Sequence, residues 1–127
     1  MLLKLRDIVV NSLVMLADNK LGACTHDDCM YVYPDGSRCT AGAGMTEEMI
    51  AYIVSTNQNT SNVNMLGQID LDFSDRIITL QMAHDEWARS KNVNGFGYSV
   101  EKIEKKKGEY LTMLMEQLAE LPELYGT

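Results

Sequence analysis

The residues in this 127-residue chain that are best suited to chemistry are Cys39, His84 and Asp85. A cysteine beside a histidine can act as a nucleophile with its general base, and a nearby carboxylate can orient the imidazole. Asp72 is an alternative to Asp85 for that orienting role. Nothing in the spacing requires the thiol and the imidazole to meet. A hydrolase or transferase that uses Cys39 and His84 is therefore the second hypothesis about function.

The helical phase around position 84 also favours a structural role for the histidine. His84 falls on an apolar stripe with Leu80 and Trp87, while Asp85 lies about 100° further round the helix. A buried imidazole needs hydrogen-bond partners for its ring nitrogens. We therefore expect a core histidine that is bonded to the hairpin or to a neighbouring carbonyl.

A zinc site is the alternative use of the cysteines. Cys24, His26, Cys29 and Cys39 would supply three thiolates and one imidazole, a set that suits tetrahedral zinc. However, only one residue separates Cys24 from His26, whereas paired zinc ligands usually have about two to four residues between them. A free cysteine also packs well as a small apolar side chain. We expect no metal and no other cofactor.

Aromatic and charged side chains in the same two segments are suited to binding a partner, because aromatics and arginine dominate binding hot spots. They would form one contact area if the hairpin lies against the third predicted helix. Ordinary core packing is the alternative for these residues. The candidate binding residues are Tyr31, Tyr33, Arg38, His84, Asp85 and Trp87.

Apolar spacings of three and four predict four helices that would position these groups. The first ends near Asn19 to Gly22, and the second starts at the capping residue Thr46. The third starts around residues 72–74, and the fourth runs from Ser99 to a stop at Pro122.

The segment 29–40 predicts a β-hairpin around Pro34, Asp35 and Gly36, with Val32 opposite Arg38. The expected fold class is α+β, mostly helical, with about four helices and one β-hairpin.

Length and composition predict one domain over residues 1–127, with a polar surface loop at 55–68. A net charge of −7 disfavours nucleic acid as a partner. No segment is apolar for long enough to cross a membrane. Three cysteines, an odd number, favour a reducing cytoplasm.

Nine methionines are many for a chain of this size. Met113 and Met115 cannot share one face of a helix, so an exposed apolar strip is expected on the last helix. Such a strip argues for a homodimer or a partner helix, and a methionine-rich core is the alternative.

Several of these motifs together resemble a group of small uncharacterised proteins from bacteriophages and prophages. The matching pattern is Cys29-Met30-Tyr31, the turn Asp35-Gly36, Arg38-Cys39-x-x-Gly42 and, later, Leu80-Gln81-x-x-His84-Asp85. The resemblance covers about residues 5 to 90 and implies a viral accessory protein in the host cell, without supplying a mechanism. The first hypothesis is therefore a binding protein that engages a host protein or a small signalling molecule, with an anti-defence role as one such task.

Overall fold

The computed structural model describes residues 2–23, 30–56, 59, 69–92 and 98–126. About 69% of them are helical, which confirms a mostly helical α+β fold. The two strands are β1 (Leu2–Leu3) and β2 (Asp70–Leu71). The helices are α1 (Leu5–Ala17), α2 (Thr40–Ala43), α3 (Glu47–Ser55), α4 (Ser74–Asn92) and α5 (Val100–Tyr125).

The predicted helix boundaries largely follow local capping chemistry. The Thr46 hydroxyl accepts a hydrogen bond from the Met49 N–H at 3.2 Å and caps α3. The Ser99 hydroxyl does the same for the Lys102 N–H at the start of α5, also at 3.2 Å. Asn19 adopts a left-handed φ of 58° just after α1, at the predicted end of that helix.

The predicted hairpin is present but short. Val32 and Arg38 form one antiparallel bridge, as expected, and the Tyr33 N–H donates to the Ser37 carbonyl at 2.8 Å. The chain then enters α2 rather than continuing as a strand. A side chain at Gly42 would place its Cβ only 2.1 Å from the Tyr31 carbonyl oxygen, so this close approach requires glycine.

Distant segments cover both sides of this short hairpin. The Arg38 N–H donates to the Lys20 carbonyl at 2.9 Å, and the Asn59 side chain bonds both the N–H and the carbonyl of Val32. Asn59 thus takes the place of a neighbouring strand. Most of the predicted polar loop at 55–68 lies outside the described residues.

The sheet is a feature that the sequence did not predict. β1 and β2 run parallel, with Leu2 opposite Asp70 and Leu3 opposite Leu71. Two-residue strands are too short to show the alternation of apolar and polar residues by which a strand is recognised.

The predicted stop at Pro122 is wrong, because α5 continues to Tyr125 and ends at Gly126, where φ is 74°. Tyr125 holds the last turn in place, since its hydroxyl donates to the Asp72 carboxylate at 2.6 Å. One missing N–H near a helix end is tolerated when the following turn is anchored in this way.

The core lies where α1, α4 and α5 pack around the short helix α2, which is wholly buried. Its largest fully buried side chains include Ile8, Tyr31, Leu80, Tyr110 and Leu114. His84 and Gln81 of α4 are buried among them and face the hairpin region.

Candidate functional site

A buried polar cluster joins α4 to the chain on either side of the hairpin. His84 is fully buried, and its Nε2 accepts a hydrogen bond from the Gly22 N–H at 3.2 Å. Its Nδ1 lies 3.0 Å from Oδ1 of Asp85. Because a backbone N–H can only donate, Nε2 carries no proton in this arrangement, and the neutral ring donates to Asp85 through Nδ1–H. The expected core histidine is therefore present, but its partners are the Gly22 N–H and the Asp85 carboxylate, and not the hairpin or a carbonyl as predicted.

Gln81 completes this cluster one turn earlier on α4. Its Nε2 donates to Asp85 Oδ1 at 2.8 Å, and its Oε1 accepts from the Ala41 N–H at 2.8 Å. The side chain thereby ties the first turn of α2 to α4. Gln81 was not a candidate at the sequence level, although a glutamine on an apolar stripe is a signal that a buried amide needs partners.

Cys39 is fully buried at the start of α2, where its sulfur accepts a hydrogen bond from the Gly42 N–H at 3.3 Å. Burial, opposed by the Gly42 bond and reinforced by the Asp85 charge, raises the pKa of the thiol to about 12. The thiol is therefore protonated at neutral pH, and a nucleophile must be a thiolate.

These contacts do not favour Cys39 and His84 as a catalytic pair. The Nε2 atom of His84, the position from which a base would take the thiol proton, is occupied by the Gly22 N–H. Asp72, the alternative orienting carboxylate, instead accepts from the Leu5 N–H at 2.7 Å and caps α1.

Three buried hydroxyl groups extend the polar network across the core. The Tyr110 hydroxyl donates to Thr40 Oγ1 at 2.6 Å, and Ser12 Oγ lies 2.6 Å from the same atom. These bonds link α5, α2 and α1. Tyr110 also contacts His84 edge-on, with 5.6 Å between ring centres, and burial raises the pKa of its hydroxyl.

Two buried side-chain atoms in the described part of the chain have no hydrogen-bond partner: the Tyr31 hydroxyl and Nε of Arg89. Burial, and then the nearby charges of Cys39 and Asp85, raise the pKa of Tyr31. The Tyr31 hydroxyl therefore borders the cluster without being hydrogen-bonded into it.

The six predicted binding residues come together, but mostly inside the protein. Tyr31, His84 and Trp87 are at most 3% exposed, and Tyr33 and Asp85 are each 7% exposed. The Arg38 guanidinium is partly buried and donates to the carbonyls of Gly42 and Met45 and to the Glu47 carboxylate. In this conformation the six side chains hold the core together and offer little surface to a partner.

Three of the four residues of the zinc alternative lie outside the described ranges: Cys24, His26 and Cys29. Within those ranges, no three His, Cys, Asp or Glu side chains are grouped so that they could hold a metal ion. No helix in the described part of the chain is long and apolar enough to cross a membrane.

The outer surface carries a different candidate, an apolar face where α1 and α5 lie side by side. On α1, Val10 is 46% exposed and Val14 is 57% exposed. On α5, Leu111 is 38% exposed and Met115 is 50% exposed, so Met115 is the exposed methionine expected on the last helix. We call this the α1–α5 face: Val10, Val14, Leu111, Met115, Leu118 and Pro122.

The two helices of this face run antiparallel. The Arg6 N–H near the start of α1 donates to the Tyr125 hydroxyl at the end of α5, while Ser12 meets Tyr110 through Thr40. Between the helices, a groove of about 340 Å³ is lined mainly by apolar side chains. Its lining is Arg6, Asp7, Val10, Leu118, Leu121, Pro122 and Tyr125.

Comparison with protein-family models, with curated proteins and with solved structures finds no match to this chain.

Proposed function

We propose that the protein acts by binding rather than by catalysis, as a small phage or prophage accessory protein whose partner is a host protein. The observation that carries this proposal is the α1–α5 face. Half-exposed valine, leucine and methionine side chains that continue across two helices are typical of contact surfaces.

The buried cluster supports a role without catalysis. Its thiol is protonated, its imidazole is occupied on both nitrogens, and its amide ties two helices together. Each of these contacts stabilises the fold, and none presents a reactive group to solvent. The alternative hypothesis, a hydrolase or transferase using Cys39 and His84, receives no support from this geometry.

The shape and charge of the face favour an amphipathic helix of the partner. Along α5, apolar residues recur every three or four positions from Leu111 to Pro122. This stripe is about 16 Å long, close to three helical turns. An open apolar groove between two helices suits a third helix better than a small signalling molecule, which enclosed pockets hold. Asp7, Glu116 and Glu123 are acidic neighbours, so the partner helix is expected to carry basic flanks.

The experiment is affinity capture from host lysate with three forms of the protein. Met115→Glu places a charge in the face, and Met82→Glu places the same charge on α4, where Met82 is 59% exposed. We expect the wild type and Met82→Glu to retain the same host protein and Met115→Glu to lose it. Identical capture by all three forms, or no protein retained above background, would contradict the proposal.

Measuring the mass of the purified protein in solution separates a host partner from a second copy of the chain. If the wild type and Met82→Glu are dimers while Met115→Glu is a monomer, the face is a homodimer interface and the host-partner proposal fails. A monomeric wild type that binds the captured host protein with 1:1 stoichiometry supports it.

A further inference from the structure

Five of the seven lysines lie between positions 91 and 107, in a chain whose net charge is −7. They are located at the end of α4 and in the first turns of α5, beside two aromatic rings. We call this the lysine–aromatic cluster: Trp87, Lys91, Tyr98, Lys102, Lys106 and Lys107.

Two ammonium groups share the Trp87 ring. Lys91 Nζ lies 4.6 Å from the ring centre and Lys107 Nζ lies 5.8 Å from it. Tyr110 also stacks on the indole, with 5.8 Å between the ring centres. Burial, and then the charge of Lys107, lower the pKa of Lys91, with Glu104 acting in the opposite direction.

The same pattern recurs at Tyr98, where Lys102 Nζ and Lys106 Nζ lie 4.8 and 5.6 Å from the ring centre. Lys106 is paired with Glu86 at 2.6 Å. Lys102 lies in the first turn of α5, where the positive end of the helix dipole disfavours a cation. The Tyr98 ring attracts both ammonium groups, whereas the helix dipole opposes the charge of Lys102, and a bound anion would offset that opposition.

We propose that the lysine–aromatic cluster binds one small anion of the phosphate class, held between the ammonium groups of Lys91 and Lys107. Such an anion would relieve the repulsion between Lys91 and Lys107 and would lie in the positive field of Lys102 and Lys106. Lysine commonly binds phosphate groups, with its ammonium group acting as a compact point charge.

The surrounding charges limit the anion to a small one. Glu86, Glu101 and Glu104 alternate with the lysines, and the whole chain is acidic, so an extended polyanion such as nucleic acid would be repelled along most of its length. Trp87 is only 3% exposed and cannot stack on a base. This site is separate from the α1–α5 face and does not depend on it.

The test is a titration of the full-length protein with inorganic phosphate, followed by NMR of the lysine side chains and by calorimetry at constant ionic strength. We expect saturable binding, with the Lys91 and Lys107 signals shifting most. Lys91→Gln and Lys107→Gln should each weaken binding about tenfold, as expected for the loss of one charged contact. Lys105→Gln is the matched control, because Lys105 is exposed on the same helix and contacts neither ring, and it should bind as the wild type does.

A second arm uses glycerol phosphate, which distinguishes a phosphomonoester from free phosphate as the preferred ligand. The proposal is overturned if neither anion saturates the protein. It is also overturned if Lys105→Gln weakens binding as much as Lys91→Gln does, since that result shows diffuse attraction and no site. Met115→Glu should bind phosphate normally, which keeps this test independent of the proposed partner-binding face.

Discussion

The middle and the C-terminal end of helix α4 differ in how their polar side chains are partnered. In the middle of the helix, His84, Asp85 and Gln81 are buried and hydrogen-bonded to one another and to backbone N–H groups of distant segments. One to two turns later, Trp87 and Lys91 meet Lys107, so that two like charges share one ring.

This difference separates a structural cluster from a candidate binding site. Burying a polar group is costly unless it finds a partner, and the middle of α4 supplies partners from within the chain. At the end of α4 and the start of α5, two ammonium groups share one ring, and the anion that we propose would relieve their repulsion. The first arrangement is complete without a ligand, and the second is the one that we propose to hold one.

The largest expected effect tests the completeness of the buried cluster. His84→Ala removes the ring nitrogens that bond the Gly22 N–H and the Asp85 carboxylate, and it opens a cavity beside Tyr110 and Trp87. We expect the free energy of unfolding to fall by about 3 kcal/mol in urea denaturation. Met82→Ala, at an exposed position on the same helix, should change it by less than about 0.5 kcal/mol. Equal effects would show that the cluster does not hold the fold.

The next effect tests the hydroxyl network at the other side of α2. Thr40→Val keeps the shape of the side chain but removes the oxygen that Tyr110 and Ser12 share. We expect a loss of about 1–2 kcal/mol in the free energy of unfolding. In a Tyr110→Phe background the same substitution should cost less, because the two groups are coupled. Full additivity of the two changes would rule out that coupling.

Alkaline pH tests the burial of Cys39. Its pKa is about 12 in the folded protein against an ordinary value of 9.0, so the folded state keeps a proton that the unfolded state loses. The stability contributed by the neutral thiol is fully present below pH 9 and is lost as the pH rises towards 12. We expect the stability of the wild type to fall more steeply over this range than that of Cys39→Ala. Parallel pH profiles would contradict the burial.

The burial of Cys39 also predicts that its thiol reacts slowly with alkylating reagents. In a variant with Cys24→Ala and Cys29→Ala, Cys39 should react with iodoacetamide far more slowly in the folded protein than after unfolding. Fast modification of the folded protein at mildly acidic pH would indicate an activated thiolate and would favour the hydrolase or transferase hypothesis instead.

The smallest effect is expected at the end of α4. Without phosphate, Lys107→Gln relieves the repulsion with Lys91, so the free energy of unfolding should stay within about 0.5 kcal/mol of the wild-type value or rise slightly. A clear loss of stability would show that the lysine is held by partners within the chain. The contrast with His84 would then disappear.

Local chemistry was sufficient to predict much of the fold from the sequence. The caps at Thr46 and Ser99 act on N–H groups three residues away, and the turn before Arg38 depends on residues next to one another. A burial stripe on α4 also predicted a buried His84 with bonded ring nitrogens. The Pro122 prediction failed because the anchor that extends α5 is Asp72, 53 residues from Tyr125 in the chain.

The sequence by itself determined the four predicted helices, though not α2, together with the tight turn and the amphipathic face of α5, because each depends on residues within one or two turns of one another. Only the tertiary structure decided that the Gly22 N–H would donate to the imidazole of His84 and that Asn59 would replace a strand beside Val32. It also decided that Lys91 and Lys107 would lie over the same aromatic ring. Those contacts join segments between 16 and 62 residues apart. They depend on how whole helices pack, and the residue types of one segment do not encode the position of another.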